Sequence, residues 1–339
     1  MTLATKADEI SEIAFGFMGS KALFAALQLK VFTHLADGPL TAEELARKAD
    51  VHPDRAQTLL TALASLGLIE VHDGDRFGNA PASQSFLVNG AKYDFGDYLR
   101  LQVGRQMYSL LDQIENALQG TMEAKDTASY AQWFADPDEA RLYSESQHSG
   151  SVGPARQLSA ALDLSGARRM LDVGGGTGAF AITLCKDNPE LTASIVEFPN
   201  VADLGRAYVE KAGLSDRIAY VPGNALEAEW PGDQDVILMS YLLSGVPGDT
   251  HVDLIRRAYD HLAPGGRLLI HDFVVEKERT GPKLAALWQL QHTAFTPEAR
   301  SLDAGWLAVA LDEIGFADVQ VAPLIPKMTM LAQGVKPAA

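Results

Sequence analysis

The stretch "LDVGGGTGAF" at 171–180 sets Gly174, Gly175, Gly176 and Gly178 within five residues, directly after the hydrophobic run 169–173. Glycine lets a backbone approach a ligand closely and adopt φ > 0 without steric cost. Between a strand and a helix, such a loop is placed to hold a ligand at the carboxyl end of a sheet. Two acids accompany it. Asp172 stands two residues before the first glycine, and Glu197 closes the next strand-like run, "ASIVEFP".

The ligand is not chosen by spacing alone. The order Asp172-x-Gly174-x-Gly176-x-Gly178 departs from the dinucleotide fingerprint, whose last Gly or Ala falls three after the second and is matched here only loosely by Ala179. Asp172 discriminates better. A carboxylate is repelled by a pyrophosphate but attracted to a sulfonium and an ammonium, which favours S-adenosylmethionine. Glu197 suits the ribose hydroxyls of either cofactor.

The elements that must present these residues follow from the patterning. Strand-like runs at 169–173, 194–198, 217–221, 235–240 and 267–273 alternate with helical stretches. This predicts an α/β fold with a Rossmann-like, mostly parallel sheet. The two runs in "GFADVQVAPL…MTMLAQGVKP" predict an antiparallel edge hairpin. Upstream, apolar residues recur at helical intervals over 8–36. Thr41 with Glu44 makes a capping box, Pro53 opens a helix closed by Gly67, and strand-like runs flank "HDGD". Helix, helix and hairpin predict a winged helix. Its second helix carries Arg55 as its one cation, too few for a DNA reader, so packing or dimerisation is expected of it. Residues 92–119 and 138–163 predict further helices, the latter interrupted near Gly150 to Pro154. The boundary is placed at 163/164. Residues 1–163 form an α-helical, winged-helix dimerisation and substrate-lid domain, and 164–339 the cofactor-binding domain.

With 44 acidic residues against 28 lysines and arginines, the net charge of −16 opposes binding to a nucleic-acid backbone. No apolar run of membrane-spanning length is evident, and "MTLATKADEI" carries acids early and lacks a signal core, so a cytoplasmic protein with no membrane partner is expected. The single cysteine, Cys185, is expected to be a buried bystander. No His/Cys/Asp cluster has ligand spacing, so no metal is expected.

Taken together, "RMLDVGGGTGAFA", "VEFPNV", "DRIAYVPGNALE", "LAPGGRLLIHDFV" and "LDEIGFADVQV" resemble successive motifs of the class I methyltransferases. The similarity is to the dimeric small-molecule O-methyltransferase type and covers nearly the whole chain. It implies S-adenosyl-L-methionine as cofactor, S-adenosyl-L-homocysteine as product, and a homodimer whose N-terminal helices around Phe15 to Leu29 interlock, with Phe17 or Met18 reaching the partner's pocket. By position, the Gly174–Gly178 loop cradles the methionine part. Glu197, with Phe198 beside it, takes the ribose. Asn224, followed by Ala225, stands where the family usually has Asp near the adenine, and Ser240 where it often has Lys.

The same resemblance exposes a gap. The family's "LHDW", whose His removes the acceptor's proton, is replaced by "SYLLSGVPGD", with Ser244 at the His position and Gly245 at the Asp position. Serine is no general base near neutrality without an activator. Three routes remain: a relocated base (His148, His251, His271 or His292), carbon methylation, or an acceptor with no proton to lose. A thioether is such an acceptor, needing alignment and desolvation only. "FGFMGSKALFAALQL", "YDFGDYLRLQVGRQMYSLLDQ" and "YLLSGVPGD" are similar to the S-methyltransferase branch of bacterial dimethylsulfoniopropionate synthesis, which acts on 4-methylthio-2-hydroxybutyrate. The competing reading is an O- or C-methyltransferase of a phenolic or polyketide natural product. A cofactor-sensing regulator using the winged helix is a third class, opposed by the paucity of cations.

Acceptor-positioning candidates come from two segments aligned with the family's substrate helices. "RLYSESQHSGSVGPARQL" offers Tyr143, Gln147 and His148, and "LWQLQHTAFTPEAR" offers Trp288, Gln291 and His292. Tyr143, Tyr241 and Trp288 are candidates to face a sulfonium through cation–π attraction. Arg105 and Arg300 are the candidate carboxylate partners. His251 is expected in a capping or solvent role, and His271, beside Asp272, in a supporting one.

Overall fold

The strand-like runs beyond 168 assemble into one seven-stranded sheet in the computed structural model, which describes residues 3–122, 130, 134–296 and 298–338. Numbered along the chain, its strands are β4 (Arg169–Val173), β5 (Thr192–Glu197), β6 (Ile218–Pro222), β7 (Gln234–Ser240), β8 (Leu262–Asp272), β9 (Ala317–Ile325) and β10 (Thr329–Val335). Their order is β6-β5-β4-β7-β8-β10-β9. The first five run parallel, and β10 and β9 close the edge antiparallel. Strand order reverses between β4 and β7, the point at which doubly wound sheets bind ligands.

Periodicity explains why these strands are central. In β4, Met170 through Val173 are all buried, as expected of a parallel strand covered on both faces. One core layer packs Leu171, Val173, Ile237 and Ile270 against Leu254 and Leu311, and the other packs Met170, Ile195 and Leu238 against Leu158 and Leu184.

The chain divides into two compact units, Met1–Tyr108 and Ser109–Ala339. This differs from the expected boundary at 163/164. Residues 109–163 belong with the sheet because the long helix Pro137–Ala161 buries Ala155 and Leu158 in its core. That helix runs unbroken through Pro154, where an interruption was expected, and Pro154 is itself buried.

The first unit contains α1 (Ala7–Gln28), α2 (Val31–His34), α3 (Ala42–Ala49), α4 (Pro53–Ser65) and α5 (Pro81–Phe86), with β1 (Leu40–Thr41), β2 (Ile69–His72) and β3 (Arg76–Asn79) in a sheet of order β1-β3-β2. The predicted helix over 8–36 breaks at Lys30, whose φ is 54°. The capping box forms as expected: the Glu44 amide donates to Thr41 Oγ1 at 3.2 Å, and the Thr41 amide to Glu44 Oε2 at 2.8 Å. Tyr98–Met107 winds as a π-helix rather than an α-helix.

α1 also corrects the expectation of no membrane-length helix. At 22 residues and mean hydropathy 1.4, it is long and apolar enough by composition to cross a bilayer. Its apolar side chains Ile10, Ile13, Phe15, Phe17 and Met18 are more than half exposed.

In the second unit the remaining helices are α6 (Ile114–Gln119), α7 (Pro137–Ala161), α8 (Ala179–Asp187), α9 (Pro199–Lys211), α10 (His251–His261), α11 (Lys283–Phe295) and α12 (Ala304–Ile314).

Candidate active site

Four carboxyl ends of the parallel strands converge on one cavity of about 310 Å³. β4 delivers Asp172 and the glycine loop, β5 delivers Glu197, β6 leads to Asn224, and β7 ends at Ser240. Gly174, Gly176 and Gly178 have φ of 68°, 56° and 80°, the left-handed region that favours glycine. Gly175 is glycine for a different reason. A Cβ there would lie 2.6 Å from Asp172 Cγ and 2.8 Å from Ile195 Cγ2.

The two acids form the electrostatic centre. Asp172 is fully buried, and among the described residues neither carboxylate oxygen meets a donor in ordinary hydrogen-bond geometry, although the Ala181 amide tempers its charge. Burial, with Glu197 nearby, pushes its carboxyl up to about 7. Burial also pushes Glu197 up to about 7, tempered by the Phe198 and Gly176 amides, which donate to Oε1 at 2.7 Å and Oε2 at 2.8 Å. An unpaired buried carboxylate is costly, and a cationic ligand removes that cost. The residues present therefore fit S-adenosylmethionine: Asp172 would face its positive charge, and Glu197, oriented by two backbone amides, would keep lone pairs for ribose hydroxyls.

Asn224 and Ala225 line the cavity while also shaping its wall. Asn224 Oδ1 accepts the Leu226 amide at 3.1 Å, and the Ala225 carbonyl accepts Trp230 Nε1 at 3.1 Å. Ser240 also lines it, its Oγ 2.9 Å from His271 Nδ1, and His271 Nε2 lies 2.8 Å from Thr329 Oγ1. His271 is wholly buried and its pKa falls to about 3, which makes it a neutral strut.

Of the acceptor candidates, Tyr143, Gln147, His148 and Tyr241 line this cavity. Tyr241 takes a left-handed φ of 57° and packs on Phe273, ring centroids 5.2 Å apart. His148 Nδ1 is 2.7 Å from Thr177 Oγ1, and its ring stacks 4.0 Å from Tyr208, so it is tied to the glycine loop. Burial lowers its pKa to about 4. Trp288, Gln291, His292 and Arg300 do not line the cavity. Trp288 stacks on Phe273 at 4.4 Å, and Gln291 is buried. His292, also brought down to about 4 by burial, lines with Arg300 and Ser244 a second cavity of about 290 Å³. Arg105 lies exposed in the first unit and lines neither. His251 is buried against Trp306 rather than capping or meeting solvent.

The base position is as barren as its sequence. Ser244 is 3% exposed and lines the second cavity, not the first. Its amide donates to Asp272 Oδ2 at 3.0 Å, and burial pushes Asp272 up to about 6. Gly245 does reach the first cavity, and a Cβ there would lie 2.8 Å from the Tyr130 ring. Sequence reasoning named Tyr143 and Phe198 but missed Tyr130 and Phe134, which complete this aromatic wall. Tyr130, Phe134, Tyr143 and Phe198 pack with centroids 5.0–5.8 Å apart. The signal was available in the spacing of Tyr130, Phe134 and Tyr143, but it resembles any helical core stripe.

Cys185 is fully buried, and burial pushes its thiol up to about 11. It is expected to resist a thiol reagent in the native protein and to react only with unfolding, a contrast that mass spectrometry reads directly. Among the described residues no cluster of three or more His, Cys, Asp or Glu side chains is placed to hold a metal.

A doubly wound sheet carrying a glycine loop and an acidic pair at its switch point defines a nucleoside-cofactor enzyme. The O-methyltransferase domain matches residues 110–317, and the O-methyltransferase dimerisation domain matches 11–89. The chain belongs to the O-methyltransferase family. It is 30% identical over 281 residues to 3-hydroxy-5-methyl-1-naphthoate 3-O-methyltransferase of Streptomyces sahachiroi, covering 83% of this chain and 81% of that one. It is also 30% identical over 317 residues to the N,N-dimethyltransferase OxyT of Streptomyces rimosus, covering 92% and 91%. The structure of human N-acetylserotonin methyltransferase in complex with SAM shares the fold, with a TM-score of 0.85, 22% identity and full coverage of both chains. The dimerisation match gives the exposed apolar side of α1 an account that needs no bilayer.

Proposed function

We propose that the protein transfers the methyl group of S-adenosylmethionine to the sulfur of a small thioether acid of the 4-methylthio-2-hydroxybutyrate type. The observation that carries this reading is Ser244: the position that supplies the family's base holds a buried serine that does not line the cofactor cavity. When bound, the cofactor supplies an electrophilic methyl group. A thioether sulfur accepts it with its own lone pair, becomes a sulfonium and releases no proton. Asp172, Gly174, Gly175, Gly176, Gly178, Glu197, Phe198, Asn224, Ala225 and Ser240 are assigned to the cofactor. Tyr143, Tyr241, Tyr130 and Phe134 line the cavity and are assigned to the cationic sulfur through cation–π attraction, and Gln147 lines it with them. The homodimer is assigned to the exposed side of α1.

Arg300, which lines the second cavity rather than the cofactor cavity, is the proposed partner of the acceptor's carboxylate. Arg300 is exposed, its stem packs over Gly248, where a Cβ would lie 2.1 Å from its Cγ, and its guanidinium makes no hydrogen bond or ion pair among the described residues. The lining of its cavity includes Arg279 and His292 and no acid. Arg300→Ala is expected to raise KM for the thioether acid about tenfold and to leave the KM for S-adenosylmethionine unchanged. An unchanged KM for the acid would remove this assignment.

The second reading, O- or C-methylation of a natural-product acceptor, is the one the relatives favour, through the oxygen chemistry of the naphthoate enzyme, and His292 lines the same cavity as Ser244. An imidazole held near 4 is a weak acceptor for a phenolic proton. The two readings separate on His292→Asn. Base-free transfer predicts kcat within about threefold of the parent at saturating substrates. A relocated base predicts a loss on the order of 100-fold or more.

A further inference from the structure

We infer that Tyr220 is a positioning residue for the cofactor: from strand β6 its hydroxyl holds Gly176, and through it the Glu197 carboxylate, in the geometry that receives the ribose. The inference rests on the cofactor assignment above.

Gly176 is gripped at both ends. Its amide donates to Glu197 Oε2 at 2.8 Å, and its carbonyl accepts the Tyr220 hydroxyl at 3.0 Å. Glu197 Oε1 is fixed separately by the Phe198 amide. With φ of 56°, Gly176 sits in the left-handed region, where a flexible loop has several alternatives. The tyrosine selects one of them. Without its hydroxyl, the loop residue that orients Glu197 is held at one end only.

The surroundings are cut to admit this ring. Gly205 lies within α9, where glycine weakens a helix relative to alanine. A Cβ at Gly205 would stand 2.0 Å from the Tyr220 hydroxyl oxygen and 2.4 Å from Cζ. A Cβ at Gly178 would stand 3.1 Å from the same oxygen. The hydroxyl thus threads between a helix and the ligand loop, with glycine on each side. Packing alone would be met by phenylalanine, which fills the ring's space and reaches no carbonyl. Burial raises the phenol's pKa, and the Asp172 and Glu197 charges raise it further, so the hydroxyl remains a donor at any working pH.

The test is titration calorimetry of S-adenosylmethionine into the full-length protein, its Tyr220→Phe variant and its Gly205→Ala variant. Ligand-free melting and steady-state kinetics accompany it. Tyr220→Phe is expected to weaken cofactor binding about threefold to tenfold. The KM for cofactor should rise in step, while kcat, the acceptor KM and the ligand-free melting temperature stay near parental values. Gly205→Ala should weaken binding at least as much, although alanine favours the helix. Parental binding by Tyr220→Phe overturns the inference, as does a fall in kcat and melting temperature with binding unchanged. If the parent itself binds no S-adenosylmethionine, the cofactor assignment fails first, and this inference with it.

Discussion

Gly175→Ala is expected to lose cofactor affinity by at least about 100-fold while the sheet still folds. The added Cβ has no room: Asp172 Cγ would lie 2.6 Å away, Asp172 Oδ2 2.7 Å and Ile195 Cγ2 2.8 Å. None of these is the far end of a flexible surface chain. Asp172 is fully buried in β4, and Ile195 is fully buried in β5. Relief must come from the loop, which moves Gly176 away from the position in which its amide orients Glu197. Overpacking of this kind costs about 1–3 kcal/mol of stability. Gly166→Ala is the matched control, since nothing lies within 4 Å of its added Cβ. Calorimetry and thermal melting on the pair decide the matter. Binding by Gly175→Ala within a few-fold of the parent would show that the loop does not cradle the cofactor.

The second large effect is a proton linkage. Asp172 and Glu197 both have carboxyls pushed up to about 7, chiefly by burial. They lie close enough to titrate as a pair. At pH 6 the ligand-free site therefore holds protons that it has lost by pH 8. A cationic cofactor binds the ionised form, so affinity should fall as pH drops below about 7, by up to tenfold per unit for each proton taken up. The sign for folding is the reverse. The folded pKa values exceed those of unfolded carboxylates, so the folded state binds more protons between about pH 4 and 7. Ligand-free stability is greatest at the acid end of that window and is lost as pH rises through 7. Bound cofactor offsets that loss, so its thermal shift should be larger at pH 8 than at pH 6. Asp172→Asn should flatten the profile and weaken binding most at pH 8. A parental binding constant independent of pH between 6 and 8 would contradict the assignment of these acids.

Much of the fold was legible because its signals are local. The strands of the α/β unit alternate with helices, and the central β4 and β7 are apolar enough to be covered on both faces, so the parallel sheet follows from pattern. The left-handed turns of Gly174, Gly176 and Gly178 and the place of Glu197 at the end of β5 were equally readable, since glycine is favoured wherever the backbone turns left-handed. The misses have tertiary causes. Pro154 should end a helix, but the burial of Ala155 and Leu158 carries α7 through it. That same packing moved the unit boundary to 108/109. His148 looked like an acceptor group, yet Thr177 claims one nitrogen, a partner 29 residues away that no local pattern reveals. Trp288 looked like a cage face and instead stacks on Phe273. Tyr220 carried no signal at all, because its meaning lies in two glycines on other elements.

The central claim is that Ser244 marks a base the chemistry does not need. The most direct measurement supplies the purified protein with S-adenosylmethionine and, in parallel, either 4-methylthio-2-hydroxybutyrate or a panel of phenols and polyketide acceptors, and follows S-adenosylhomocysteine together with product mass. Turnover is expected with the thioether acid, giving a product one methyl heavier that carries a fixed positive charge. Turnover confined to hydroxyl or carbon acceptors would contradict it and return the search to a relocated base at His292.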